Sequence, residues 1–169
     1  MKLMQGSQRG LTLIEVMVGV LIMGLVGLAA AAAIIQVFNA GRNSTHMSAL
    51  RQVQTAGYWV SRDGLQAQDV SITAGTGFPL TLTWIDWEDD GNSYEIQYTL
   101  EDMPSGGLKE LWRYETITPK VPDGETSHTT LVAQYIDASA TSCQWDGSQI
   151  IFKVTATVEQ QTESRTYEI

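Results

Sequence analysis

The spacing of hydrophobic and polar positions changes twice along this chain. Residues 16–35 carry no charge, and glycines are the only non-apolar residues among them. At helical rise such a run covers roughly 30 Å, the hydrocarbon thickness of a bilayer, which predicts a spanning helix. Farther on the pattern becomes one-sided. Met47, Leu50, Val53, Tyr58, Val60 and Leu65 share one side of a helical wheel, with Arg51 and Arg62 on the other. That face is expected to lie on a sheet, and Gly57 and Gly64 in the same arc permit a close approach. No proline occurs before Pro79, so one unbroken helix over about residues 12–66 is the simplest reading.

After Asp69 the period shortens to two. Leu80, Leu82 and Trp84 alternate, a turn follows at residues 88–92, and Tyr94, Ile96, Tyr98 and Leu100 alternate again. A second turn at 103–107 and a strand over 108–116 complete an antiparallel meander, and 119–125 reads as a loop. Further strands are expected over 130–136, 142–145, 149–158 and 165–169, with Asp146-Gly147 as a tight turn. The fold class is therefore α+β: a long amino-terminal helix, half membrane and half amphipathic, packed on an antiparallel β head. The expected divisions are a leader (1–10), a membrane helix (11–36), its amphipathic continuation (37–67) and an acidic head (68–169).

Charge sharpens this division. No Asp or Glu occurs between Glu15 and Asp63, whereas residues 63–169 hold 18 acids against five bases, a surplus of 13 negative charges. Such a surface repels a phosphate backbone, so no nucleic-acid partner is expected. Cys143 is the only cysteine, which leaves stability to packing. His46 and His128 with one thiol do not form a spaced ligand set, and no HExxH, GxSxG or phosphate-cradling loop is present. No cofactor, metal or catalytic residue is assigned, and the chain is not expected to be an enzyme. Asp86, Glu88, Asp89, Asp90 and Asn92 crowd oxygen ligands around Gly91 but lack the distal glutamate of an EF-hand, so a solvated turn is preferred to a calcium site. Most of the tryptophans (Trp59, Trp84, Trp87, Trp112, Trp145) are expected in the core, with Trp87 the candidate for exposure.

Lys2 and Arg9 precede the apolar run without an acid beside them, which predicts a cytoplasmic amino terminus and an extracytoplasmic carboxyl side. An ordinary secretory signal would place its cleavage site after the apolar run, as at 29–33, but the block before the run carries the stronger signal. Gln8-Arg9-Gly10-Leu11-Thr12-Leu13-Ile14-Glu15-Val16 closely resembles the type IV prepilin signal shared by pilins and type II secretion pseudopilins. The resemblance implies cleavage between Gly10 and Leu11 by a membrane-embedded prepilin peptidase, and N-methylation of Leu11. It also implies other pilin-like subunits as partners through helix packing, with extraction from the inner membrane by an assembly platform and ATPase. In the head, Leu82-Thr83-Trp84, 96–100, Leu111-Trp112-Arg113, 150–154 and Arg165-Thr166-Tyr167 more faintly resemble J-type minor pseudopilins and W-type minor pilins.

Glu15 has a physical claim of its own. An acid in the membrane costs up to about 2.5–3.5 kcal/mol near the centre and less near an edge. A neighbouring subunit's freed Leu11 amine at the same depth would neutralise it and set axial register. The plainer alternative is a glutamate that reaches the headgroups. For the whole protein the leading expectation is a non-enzymatic filament subunit. The alternatives are a membrane-anchored extracytoplasmic binding module that keeps residues 1–10, and an envelope hydrolase for which no nucleophile and base can be named.

Overall fold

The computed structural model describes residues 12–87, 91–104, 106–120 and 124–169. Among these residues a single helix, α1 (Leu13–Gly64), precedes eight strands: β1 (Asp69–Ile72), β2 (Leu80–Asp86), β3 (Asn92–Asp102), β4 (Lys109–Thr118), β5 (Thr126–Ile136), β6 (Ser142–Trp145), β7 (Ile150–Val158) and β8 (Gln161–Glu168). The architecture is a long amino-terminal helix with its later turns packed on a curled antiparallel sheet, the pilin-like α+β arrangement. Contacts divide the chain into Met1–Arg42 and Asn43–Ile169. In the first unit the described residues are helical from Leu13 on, and their apolar side chains are exposed.

In the second unit the expected meander forms: β2, β3 and β4 pair in order, with Leu82 opposite Ile96 and Leu100 opposite Leu111. The inward positions Leu80, Leu82, Ile96, Tyr98, Leu111, Phe152 and Val154 are buried against α1. β1 is an addition to the strands expected from alternation, because Asp69–Ile72 holds only two large apolar side chains. β8 is also longer than the expected 165–169, since Gln161–Glu168 is mostly polar and shows no apolar alternation.

The helical face that meets the sheet coincides with the expected one at Val53, Gly57 and Val60 and departs from it elsewhere. Ala49, Val53, Ala56, Gly57, Val60 and Asp63 are buried, whereas Met47, Tyr58 and Leu65 are exposed by 59%, 62% and 79%. Residues 49, 53, 56, 60 and 63 form a 4-3-4-3 seam. Large side chains misplace this seam because the closest approach demands small ones. At Gly57 an added Cβ would stand 2.0 Å from Cζ of Tyr167, so glycine opens the notch that the ring fills. The Tyr167 hydroxyl then donates to the Val53 carbonyl at 3.2 Å.

Two devices curl the sheet. Between β4 and β5 the register passes from Lys109↔Ile136 to Leu111↔Ala133, so Gln134 and Tyr135 stand against Glu110 alone, with Tyr135 at φ 61°. The Gln134 N–H, released by this bulge, donates to Oε1 of Gln52 on α1 at 2.9 Å, and its side chain donates to buried Glu110 at 2.9 Å. At the other side the Cys143 N–H donates to the Thr76 carbonyl at 2.9 Å and ties the loop after β1 to β6. Gly77, at φ 82°, permits this contact, since a Cβ there would fall 1.9 Å from the Cys143 carbonyl oxygen.

Candidate functional site

The first candidate lies at the start of α1. Thr12 precedes the helix, and its hydroxyl accepts from the Glu15 N–H at 3.4 Å. In return Oε2 of Glu15 accepts from the Thr12 N–H and hydroxyl, both at 3.3 Å. This is a capping box, Thr-x-x-Glu, in which side chains satisfy amides that the first turn leaves without partners. The acid also stands at the positive end of the helix macrodipole. The sequence carried that signal in Thr12 and Glu15 directly before the apolar run, and the resemblance-based reading of Glu15 passed over it. Gly10 and Leu11, the expected cleavage residues, lie outside the described residues. So do Glu88, Asp89 and Asp90 of the acidic turn.

Along the following turns every large apolar side chain from Leu13 to Phe38 is exposed by half or more. Nothing stands within 4 Å of a Cβ built on Gly19, Gly24 or Gly27. The helix is long and apolar enough to cross a membrane, and this stretch of it is apolar on all sides.

The second candidate is a cluster that sequence reasoning did not assemble. Asp63, in the last turn of α1, is 1% exposed at the helix end where a negative charge is least favoured. Its Oδ2 accepts from Nε of Arg113 and from the Tyr98 hydroxyl, both at 2.6 Å, and Oδ1 accepts from Arg62 at 3.2 Å. Pairing brings the two sheet donors together, because Tyr98 on β3 stands directly opposite Arg113 on β4. Arg113 also donates to Glu115 at 3.1 Å, and the Trp59 ring lies beneath the guanidinium of Arg62 at 4.3 Å and near that of Arg113 at 5.2 Å. Burial, then the Asp63 charge and hydrogen bond, hold the Tyr98 phenol far above its ordinary pKa, so it remains a donor. Burial pulls Arg113 down, but hydrogen bonds to Glu115 and Asp63 outweigh it and fix the charge. Every buried side-chain donor and acceptor among the described residues has a partner. The cluster therefore works as a clamp between helix and sheet. Arg62, expected to project away from the packed side, closes it from the exposed flank.

Among the described residues no group of three or more His, Cys, Asp and Glu could hold a metal ion. His46 instead contacts Glu163 on β8 at 2.9 Å. Burial pushes the Cys143 thiol up to about 12, far from a reactive thiolate. Trp84 is in the core and Trp87 is 72% exposed, both as expected.

Residues 6–31 match the prokaryotic N-terminal methylation motif. No curated protein and no solved structure matches the chain. The chain thus carries a prepilin-type N-terminal methylation motif at the head of a helix able to span a membrane, on a pilin-like α+β fold.

Proposed function

We propose that the chain is a minor pilin or pseudopilin, a subunit of a type IV pilus or a type II secretion filament, built in through its amino-terminal helix. The observation that carries this reading is the methylation motif over residues 6–31, placed so that Glu15 occupies the first turn of an apolar helix. Prepilin peptidase removes residues 1–10 by cutting between Gly10 and Leu11, and Leu11 is methylated. The inner membrane holds residues 11–36 with the leader in the cytoplasm, 37–67 continue outside, and the acidic head at 68–169 faces the periplasm or cell surface. The likeness of Leu82-Thr83-Trp84 and Leu111-Trp112-Arg113 to J-type and W-type sequences supports a minor rather than a major subunit.

In the filament the Glu15 carboxylate meets the Leu11 amine of a neighbouring subunit. The capping box supports this by keeping the carboxylate at the helix head. The bare small-residue positions Gly19, Gly24 and Gly27 suit close packing by other helices.

Mass spectrometry of the native amino terminus tests the assignment. A chain that begins at methylated Leu11, and at Met1 in cells without prepilin peptidase, is the expected result. A chain beginning at Met1 in both backgrounds overturns it. For Glu15 the expected result is that Glu15→Ala is still cleaved but no longer co-purifies with other pilin-like subunits; unchanged co-purification overturns the pairing.

A further inference from the structure

Along β3 and β4 the side chains turned toward α1 are Ile96, Tyr98, Leu111 and Arg113, all buried. The residues between them form the opposite face, which α1 does not cover. Its charge is one-sided. Strands β1 to β5 place Asp69, Glu95, Glu101 and Glu110 on this face, with no lysine or arginine among its described positions. None of the four acids forms an ion pair among the described residues. Lys109, the base nearest in sequence, belongs to the other set of positions and is spent on Asp102 at 2.6 Å. Glu101 stands directly opposite Glu110 across the ladder, a like-charge pairing that weakens a sheet unless something offsets it. The donors that reach the pair are neutral: the Tyr114 hydroxyl donates to Glu101, while Nε1 of Trp112 and Nε2 of Gln134 donate to Glu110 at 3.0 and 2.9 Å. These bonds order carboxylates and rings without supplying positive charge. Next to Trp112 in register is Leu131, 39% exposed, so the acids adjoin an apolar platform.

We propose that this face of β3, β4 and β5 is a docking surface for a basic protein, through an arginine that pairs with exposed Glu101 beside Glu110 and an apolar side chain that lies against Trp112 and Leu131. A guanidinium suits the place because its planar fork matches a carboxylate and stacks on aromatic rings, whereas an ammonium is a compact, strongly hydrated charge. The one positive charge offsets both opposed acids. A bare metal ion is a poorer occupant, since among the described residues no group of three or more acids, histidines and cysteines comes together. A second copy is disfavoured by its own charge: each chain carries −9, so two of them repel, while a basic protein is drawn to the surface. Every residue invoked lies within the Asn43–Ile169 unit, so the surface exists whether or not the chain is built into a filament.

The test uses the full chain in detergent at physiological salt and a labelled peptide with Arg-Leu-Arg at its centre, against the same peptide with Lys-Leu-Lys. Fluorescence anisotropy is expected to show saturable binding of the first and weaker binding of the second. Glu95 and Glu101 are exposed, so Glu95→Gln with Glu101→Gln spares buried Glu110 and leaves an oxygen to accept from Tyr114. That pair is expected to weaken binding about tenfold. Glu125→Gln with Glu159→Gln removes the same charge from exposed positions off this face, and is expected to change binding by less than about twofold because salt screens distant charges. Leu131→Ser, which touches no charge, is expected to weaken binding about threefold. No saturable binding, equal losses in the two glutamine pairs, or indifference to Leu131→Ser overturns the proposal. A chain that self-associates without peptide, and that Glu95→Gln with Glu101→Gln returns to monomer, overturns it in favour of a second copy.

Discussion

Two carboxylates sit near opposite ends of one helix, and they are stabilised by opposite means. Glu15 in the first turn is exposed, lies with the macrodipole and accepts from Thr12. Asp63 in the last turn is buried, lies against the macrodipole and depends on a guanidinium and a phenol from the sheet. The helix around each acid differs in the same sense. Residues after Glu15 are large, apolar and exposed, whereas those that seat the later turns on the sheet, Ala49, Val53, Ala56, Gly57 and Val60, are small and buried. Apolar bulk thus marks the part of this helix that a single chain leaves uncovered. The scarcity of bulk marks the part that the chain covers itself.

Cutting the clamp is the strongest way to break this comparison. Arg113→Ala leaves Asp63 buried without its main partner and is expected to cost about 3–5 kcal/mol in urea unfolding of the full chain. Asp63→Leu combined with Arg113→Met should recover most of that loss, since it removes both charges together. A cost below about 1 kcal/mol for Arg113→Ala would show that the cluster is dispensable. Gly57→Ala comes next. Its methyl would stand 2.0 Å from the Tyr167 ring, which must shift, and a loss of about 1–3 kcal/mol is expected, with a smaller penalty when Tyr167→Ala is already present. Gln52→Ala withdraws the acceptor from the Gln134 N–H at the bulge and is expected to cost about 1–3 kcal/mol, visible as faster amide exchange at Gln134.

The smallest effect concerns acid. Hydrogen bonds from the Ser148 and Gln149 amides lower the Asp146 pKa below its ordinary 3.8, and the Ser139 hydroxyl does the same for Asp137. A lowered folded-state value contributes stability that is fully present above the unfolded pKa and is lost as pH falls through the folded one. Asp137→Asn with Asp146→Asn should therefore lower the thermal midpoint slightly at neutrality and flatten its fall below about pH 4.

Much of this contrast was legible in the sequence. The spanning run, the unbroken helix, the meander and the exposure of Trp87 follow from period, charge and turn chemistry. The seam on residues 49–63 did so only in part: Val53, Val60 and the close approach at Gly57 lie on the expected face, but hydrophobic weight adds Met47, Tyr58 and Leu65 where packing selects Ala49, Ala56 and Asp63. β8 escaped in part because an edge strand held by backbone bonds needs no apolar alternation. Tyr98 and Arg113 are distant from Asp63 in sequence, and only strand register brings the three together. The capping box was different. Its two residues stood three positions apart in the chain.

Tyr167, which fills the notch at Gly57, lies 114 residues beyond Val53, to which it bonds. During synthesis the seam on α1 emerges long before its last cover has been translated. The notch at Gly57 stays open until nearly the whole polypeptide has left the ribosome, whereas Tyr98 and Arg113, the partners of the Asp63 carboxylate, emerge much earlier.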